Sequence, residues 1–268
     1  SPSRGLGDVY KRQVPERAKK LIKHFWPGPL TIILFVKEGT LPDAVTGGLP
    51  TAAFRCPDDE MTHGLISELG KPIVGPSANT STKPSPTTAE HVYHDLKGKI
   101  AGIIDNGPTE IGLESTIVDL SVETPTVLRP GEITPEEISK VLGEEVLMNK
   151  GTTQTKGVPK APGMKYRHYA PSAPVFIVDK EADFSKIKWD KETGVAALDE
   201  VLDKIDSSNK YSLGKTIDKA AHNLFGALRY FDSENNIKRI YVQGFDHGAI
   251  SPAYMNRLNK AAAGHHFH

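Results

Sequence analysis

One cysteine, Cys56, stands in a chain of 268 residues, which excludes an internal disulfide framework and a cysteine-rich zinc site. Charge of one sign is lacking too: 33 Lys plus Arg balance 33 Asp plus Glu. Bulk charge therefore marks neither nucleic acid nor an anionic membrane as a partner, and only a local basic face stays open. No apolar run is long enough to span a bilayer. The start lacks a hydrophobic signal-peptide core, so the cytoplasm is the expected location. Neither a GxxxxGK loop followed by Ser or Thr nor a GxGxxG turn occurs, so any nucleotide site is built without the usual phosphate cradles. There is no internal repeat and no low-complexity tract. What is present, 38% apolar and 25% charged residues, describes a globular chain of one large or two ordinary domains.

The first thirteen residues, "SPSRGLGDVYKRQ", have turn formers and charge but no periodicity, and residues 1–13 are read as an unassigned leader. From Val14 the pattern sharpens. Val14, Ala18, Leu21, Ile22 and Phe25 share a helical face that "WPGP" terminates. Strands are expected at "LTIILFV" (Leu30 to Val36), "TAAFRC" (Thr51 to Cys56), "KPIVG", "AGIID", "STIVDL" and "TPTVLRP". Helices are expected at "MTHGLISELG", closed by Gly70, and after two capping-box spacings, Thr87 with Glu90 and Thr134 with Glu137. This mixture predicts an α/β domain over 14–148. Residues 149–172 read as a linker rich in Gly, Lys, Thr and Pro. Over 173–268, "APVFIVD", "TGVAALD" and "RIYVQGF" are strand-like, with helices at about 216–231 and 252–263 and a tail-like "GHHFH" at the end. That second part is a small Rossmann-like α/β domain.

Chemistry concentrates in a few places. "GPSANTSTKPSPTTAEH" (Gly75 to His91) leaves an expected strand with Ser77, Asn79, Ser81 and Ser85. These are either ordinary turn formers or a polar cradle for phosphate oxygens. Arg55, inside a strand pattern, and Arg129, in "VLRPG", are each either a strand-edge charge or a clamp for a carboxylate or phosphate. "GLEST" puts Ser115 and Thr116 at a strand start, as a turn or a ligand contact. His91 and His94, three apart on a helix, lack a third ligand and read as surface residues, so no metal site is expected. "APGMKYRHYAP" (Ala161 to Pro171) packs two tyrosines, an arginine and a histidine between prolines. It reads as a lid over a site, or as a strap packed on a domain surface.

"HFWPGPLTIIL", "RCPDD", "VGPSANTSTKPSPT", "GLESTIVDL", "VLRPGEIT" and "APGMKYRHYAP" together resemble a threonylcarbamoyl-AMP synthase of the YrdC-like family, in its two-domain form. The resemblance runs from Val14 to Ala263. It implies a YrdC-like twisted open-sheet domain followed by the Rossmann-like one, and a nucleotidyltransferase. Such an enzyme makes threonylcarbamoyl-AMP and pyrophosphate from L-threonine, bicarbonate and ATP with Mg²⁺, for the t6A37 modification of tRNA. By the same resemblance Arg55, Gly75 and Ser115 hold threonine, while Thr51, Ser77, Asn79, Ser85 and Arg129 meet ATP. Tyr166 and His168 cover the site. Partners are tRNA or downstream tRNA-modification proteins, and no membrane; the alternative is a double-stranded RNA or tRNA-binding module without catalysis. Family members also begin with a strand-rich segment bearing a Thr-x-Thr-x-x-Gly-like stretch and a Lys-x-Arg motif. This chain has neither, which implies an N-terminally shortened enzyme. No catalytic residue is carried over, and Lys11 of "YKRQ" is not the family lysine.

Overall fold

The apolar face that begins at Val14 becomes helix α1 (Glu16–Phe25), which buries Ala18 and Leu21. The computed structural model describes residues 14–149, 169–234 and 236–268. They form two compact units, neither continuous in sequence. Residues 14–75 and 114–149 make the first, and residues 76–113 and 169 onward make the second. In order along the chain, α1 is followed by α2 (Asp43–Thr46) and α3 (Glu60–Leu69) in the first unit, then α4 (Ala89–Leu96) in the second, then α5 (Pro135–Leu142) back in the first.

The sheet of the first unit has the order β2-β1-β3-β4-β5. Its strands are β1 (Leu30–Phe35), β2 (Thr51–Phe54), β3 (Thr116–Asp119), β4 (Thr126–Arg129) and β5 (Leu147–Met148). β1 pairs antiparallel with β2 and parallel with β3, β3 antiparallel with β4, and β4 parallel with β5. The sheet is mixed and open, as an α/β reading requires. Leu30, Ile32 and Leu34 of β1 meet Leu21 of α1 and Ile138 of α5 in one core. On the rim of that core Arg17 is paired with Glu144, its Nε 2.7 Å from Oε1. α5 opens on the expected capping box, with Thr134 accepting from the Glu137 amide and Glu137 accepting from the Thr134 amide. α3 is capped by Asp59, which accepts from the Thr62 amide, and closed by Gly70 in the left-handed region.

Several expectations need correcting. β2 ends at Phe54, so Arg55 and Cys56 lie beyond the strand rather than inside it. "KPIVG" and "AGIID" form no strands, and Val74 and Ile104 are 69% and 64% exposed. A strand exists only through its ladder, and neither segment is a member of either sheet. α3 likewise forms from its local signals but buries none of its residues. The cap of α4 is Thr88, one residue later than the expected Thr87. The Thr88 hydroxyl accepts from the His91 amide, while the Thr87 amide donates to the His91 ring.

The second unit carries five strands in the order β10-β6-β9-β7-β8, all parallel. They are β6 (Val175–Val178), β7 (Thr193–Ala197), β8 (Lys210–Ser212), β9 (Arg239–Gln243) and β10 (His266–Phe267). The helices are α6 (Asp199–Leu202), the long α7 (Ile217–Ser233) and α8 (Ser251–Ala261). Leu224 and Phe231 of α7 and Tyr254 and Leu258 of α8 pack with Ile177 and Val242 of the sheet. This is the Rossmann-like arrangement the sequence predicts. β10 arises where a tail was expected: its two residues pair with Ile177 and Val178, and Phe267 packs edge-on against Tyr241 at 5.3 Å between ring centroids. Among the described residues no helix is long and apolar enough to cross a membrane.

Candidate functional site

Register brings four side chains of the first unit to one end of its sheet. β2 finishes at Phe54, opposite Ile32 of β1. β1 begins at Leu30, opposite Thr116 of β3, and Arg129 ends β4 opposite Ile117. Arg55, Thr31, Ser115 and Arg129 therefore share that end. Ser115, just before β3, is buried, and its hydroxyl lies 2.7 Å from the Thr31 hydroxyl. Arg129 donates from Nε and Nη2 to the Ser115 carbonyl at 3.1 and 2.9 Å, and from Nη2 to the Ser115 hydroxyl at 3.2 Å. The "VLRPG" turn reaches this arrangement because Gly131 has no side chain. A Cβ there would meet the Thr116 hydroxyl at 2.7 Å and the Glu114 carbonyl at 2.9 Å.

Arg55 is different in kind. The residue as a whole is exposed, while desolvation by the surrounding protein lowers the guanidinium's pKa, and among the described residues the guanidinium has no hydrogen-bonding or ion-pair partner. A cation left free beside two clustered hydroxyls is a ready receiver for a carboxylate or phosphate. Thr51, buried, sits opposite Phe35 at the other end of β2. Four residues of extended chain put it about 13 Å from Arg55, so the structure does not bring Thr51 to the Ser115 end. Gly75 is exposed with open space around it. Cys56 lies 3.6 Å from the His63 ring nitrogen. Burial, then Asp58, push its thiol above its ordinary value, which disfavours a thiolate nucleophile.

The second unit holds the remaining loop residues. Ser77 is exposed and Ser85 is buried. Asn79 donates from Nδ2 to the carbonyls of Thr80 and Lys83 at 2.8 and 3.3 Å, so it shapes its own loop, while its buried Oδ1 has no partner among the described residues. The loop is held by Asp95 of α4, whose carboxylate accepts from the Thr80 amide at 3.0 Å and from Arg229 of α7 at 2.8 and 2.9 Å. Burial alone would raise the Asp95 carboxyl. Hydrogen bonds from Arg229, His94 and the Thr80 amide outweigh it and hold the group well below the usual carboxylate range. These contacts explain why 76–113 packs in the second unit, although its position in sequence suggests the first domain. Tyr166 and His168 lie outside the described residues. His94 pairs with Asp95 at 3.0 Å and His91 turns to Thr87. Among the described residues no group of three or more His, Cys, Asp or Glu side chains is placed to hold a metal ion.

Sequence reasoning passed over Thr31, Asp95 and Arg229. Thr31 had a signal, the one hydroxyl in the apolar run "LTIILF". Asp95 and Arg229 had none, because their partnership spans 134 positions.

A mixed open sheet with a free arginine and buried hydroxyls at one end, and a parallel-sheet unit, define an α/β protein equipped for a small acidic ligand. Comparison with known proteins is more specific. The family profile described as "Telomere recombination" matches residues 5–131, and that described as "Threonylcarbamoyl-AMP synthase, C-terminal domain" matches residues 133–263. The threonylcarbamoyl-AMP synthase of Pyrococcus abyssi is 43% identical over 263 residues, which cover 95% of this chain and 76% of the relative. That of Bacillus subtilis is 44% identical over 258 residues, covering 93% and 74%. The crystal structure of P. abyssi Sua5 complexed with L-threonine superposes with a TM-score of 0.86 at 40% identity, over 99% of this chain and 80% of that one. This chain belongs to the threonylcarbamoyl-AMP synthase family.

Proposed function

We propose that this chain is an L-threonylcarbamoyladenylate synthase, a nucleotidyltransferase that joins L-threonine, bicarbonate and ATP into threonylcarbamoyl-AMP and pyrophosphate. The observation that carries the reading is the end of the first sheet, where Arg55 is a cation without a partner among the described residues and Ser115 is fixed by Thr31 and Arg129. Arg55 takes the threonine carboxylate, and the Ser115 hydroxyl and the backbone at Gly75 seat the rest of the amino acid. The threonine amine and bicarbonate condense to a carbamate with loss of water. A carbamate oxygen then attacks the α-phosphorus of ATP, and the bond to the bridging oxygen breaks to release pyrophosphate. Charge grows on the phosphate oxygens in this step, which N–H and O–H donors held in place stabilise. By the family resemblance, Ser77 and Ser85 of the opening loop (residues 76–88), Thr51 and Arg129 serve the nucleotide.

Mg²⁺ would enter with ATP and would offset the charge of its phosphates; this proposal gives it no protein cage. No covalent nucleophile is required, so positioning and charge stabilisation supply the rate. The product is a labile mixed anhydride destined for tRNA or for proteins that modify it, in the cytoplasm. The test is pyrophosphate release by the purified chain. Release that needs threonine and bicarbonate together supports the reading, and release from ATP without threonine overturns it.

A further inference from the structure

Helix α7 presents Arg229 and Asp232 one turn apart, and both are spoken for by the opening loop. Arg229 forks onto the Asp95 carboxylate and also donates to the Pro84 carbonyl. Asp232 accepts from Lys83 Nζ at 2.7 and 2.9 Å and from the Ser172 amide at 2.6 Å. Thr80, Lys83 and Pro84 are thereby fixed at three successive points. Between them stands Thr82, a β-branched residue with φ of +75°. Its carbonyl accepts from the Ala170 amide at 3.0 Å, next to Tyr169, which also lies in the left-handed region at φ of +65°. Such conformations in non-glycine residues persist where the surroundings over-determine them, and they cluster at ligand-binding and active sites.

We infer that Arg229 and Asp232 are positioning residues for the nucleotide: through Asp95 and Lys83 they hold the opening loop in the one shape that presents Ser77 and Ser85 to ATP. The inference rests on the function proposed above. It adds that the Rossmann-like part of the chain acts on nucleotide binding without touching the nucleotide. Its consequence is selective. Among the residues assigned to the nucleotide, Ser77 and Ser85 belong to the second unit together with the clamp and Thr51 and Arg129 to the first, where Arg55, Gly75 and Ser115, assigned to threonine, also lie. Loosening the clamp therefore weakens nucleotide binding and spares threonine. A part that merely stabilised the fold would reduce both alike.

The experiment measures ATP–Mg²⁺ and L-threonine affinities by calorimetry on the full chain, with the apparent KM of each where turnover is seen. Arg229→Lys keeps the charge and loses the fork onto Asp95. Lys83→Met, at a partly exposed site, keeps the stem and loses the tie to Asp232. Arg229→Lys is expected to weaken ATP about tenfold, and Lys83→Met about threefold, with threonine affinity unchanged within about twofold. Folded variants that bind ATP as the parent does, or lose both ligands in equal proportion, overturn the clamp and leave the proposed function standing. If Arg229→Lys does not fold, Lys83→Met decides by the same criteria. A parent chain that binds threonine but no nucleotide overturns the function, and the clamp with it.

Discussion

Arg129, the last residue of β4, donates through both Nε and Nη2 to the carbonyl oxygen of Ser115, 14 positions earlier, and Nη2 also reaches the Ser115 hydroxyl. One guanidinium thus fixes the backbone and the side chain of a residue assigned to threonine. A planar fork is needed for this, since an ammonium offers one point of attachment where Arg129 offers two. The role differs from the direct nucleotide contact that the family resemblance implies, and the two make separable predictions.

Arg129→Lys is expected to weaken threonine as well as ATP, threonine by about tenfold, because Ser115 loses its anchor. Thr31→Val removes the other hydroxyl beside Ser115 and is expected to weaken threonine by about threefold, the effect of one neutral hydrogen bond, with ATP unaffected. Calorimetric titration of each variant with each ligand checks both. If Arg129→Lys moves ATP alone, Arg129 is a nucleotide contact and nothing more.

Arg55→Ala separates binding from stability. The guanidinium has no partner among the described residues, so its removal is expected to change unfolding free energy by less than about 0.5 kcal/mol. Threonine affinity is expected to fall by about a hundredfold, the loss of a charge-assisted contact to its carboxylate. Urea melts and threonine titrations on the same preparation read both. A large loss of stability with little loss of affinity would place Arg55 in the fold instead of the site.

Gly131→Ala tests the close approach behind Ser115. A Cβ at this position would press on the Thr116 hydroxyl at 2.7 Å and the Glu114 carbonyl at 2.9 Å. The expected destabilisation is about 1–3 kcal/mol, read as a lower urea midpoint. Gly75→Ala is the control: nothing lies within 4 Å of a Cβ there, so its midpoint should match the parent's.

Acid stability should depend on Asp95. Its carboxyl is held below the usual range, because hydrogen bonds from Arg229, His94 and the Thr80 amide overcome the effect of burial. A carboxyl with a depressed folded-state pKa contributes stability that is complete above the unfolded value, and loses it as pH falls toward the folded one. The melting temperature of the parent is therefore expected to drop between about pH 4 and about pH 2, and that of Asp95→Asn to start lower at neutral pH and fall less over the same window. Parallel curves for the two proteins would mean that other groups govern acid unfolding.

Local signals carried much of the fold. The Thr134–Glu137 box, the left-handed cap at Gly70 and the buried run of β1 appear where the sequence places them. They act within one turn or one ladder, and the residues that make them are neighbours. The Arg55 and Ser115 assignments came from motifs, and the structure adds that both stand at one end of the sheet. It also shows that Thr51 stands at the other end. The capping reading at Thr87 failed by one residue, because the neighbouring Thr88 carries the same hydroxyl.

By itself, then, the sequence determined the longer helices, the principal strands, the α/β class and the family. Each of these is written in contiguous residues or in motifs whose chemistry is local. Tertiary structure alone decided which apolar runs become strands. Residues 72–74 and 102–105 read as strands, yet among the described residues they join neither sheet, whereas the unpromising His266–Phe267 has a partner in β6. It also decided that the opening loop belongs with the second unit. The Asp95–Arg229 pair that holds it joins residues 134 positions apart, and no window along the chain contains both.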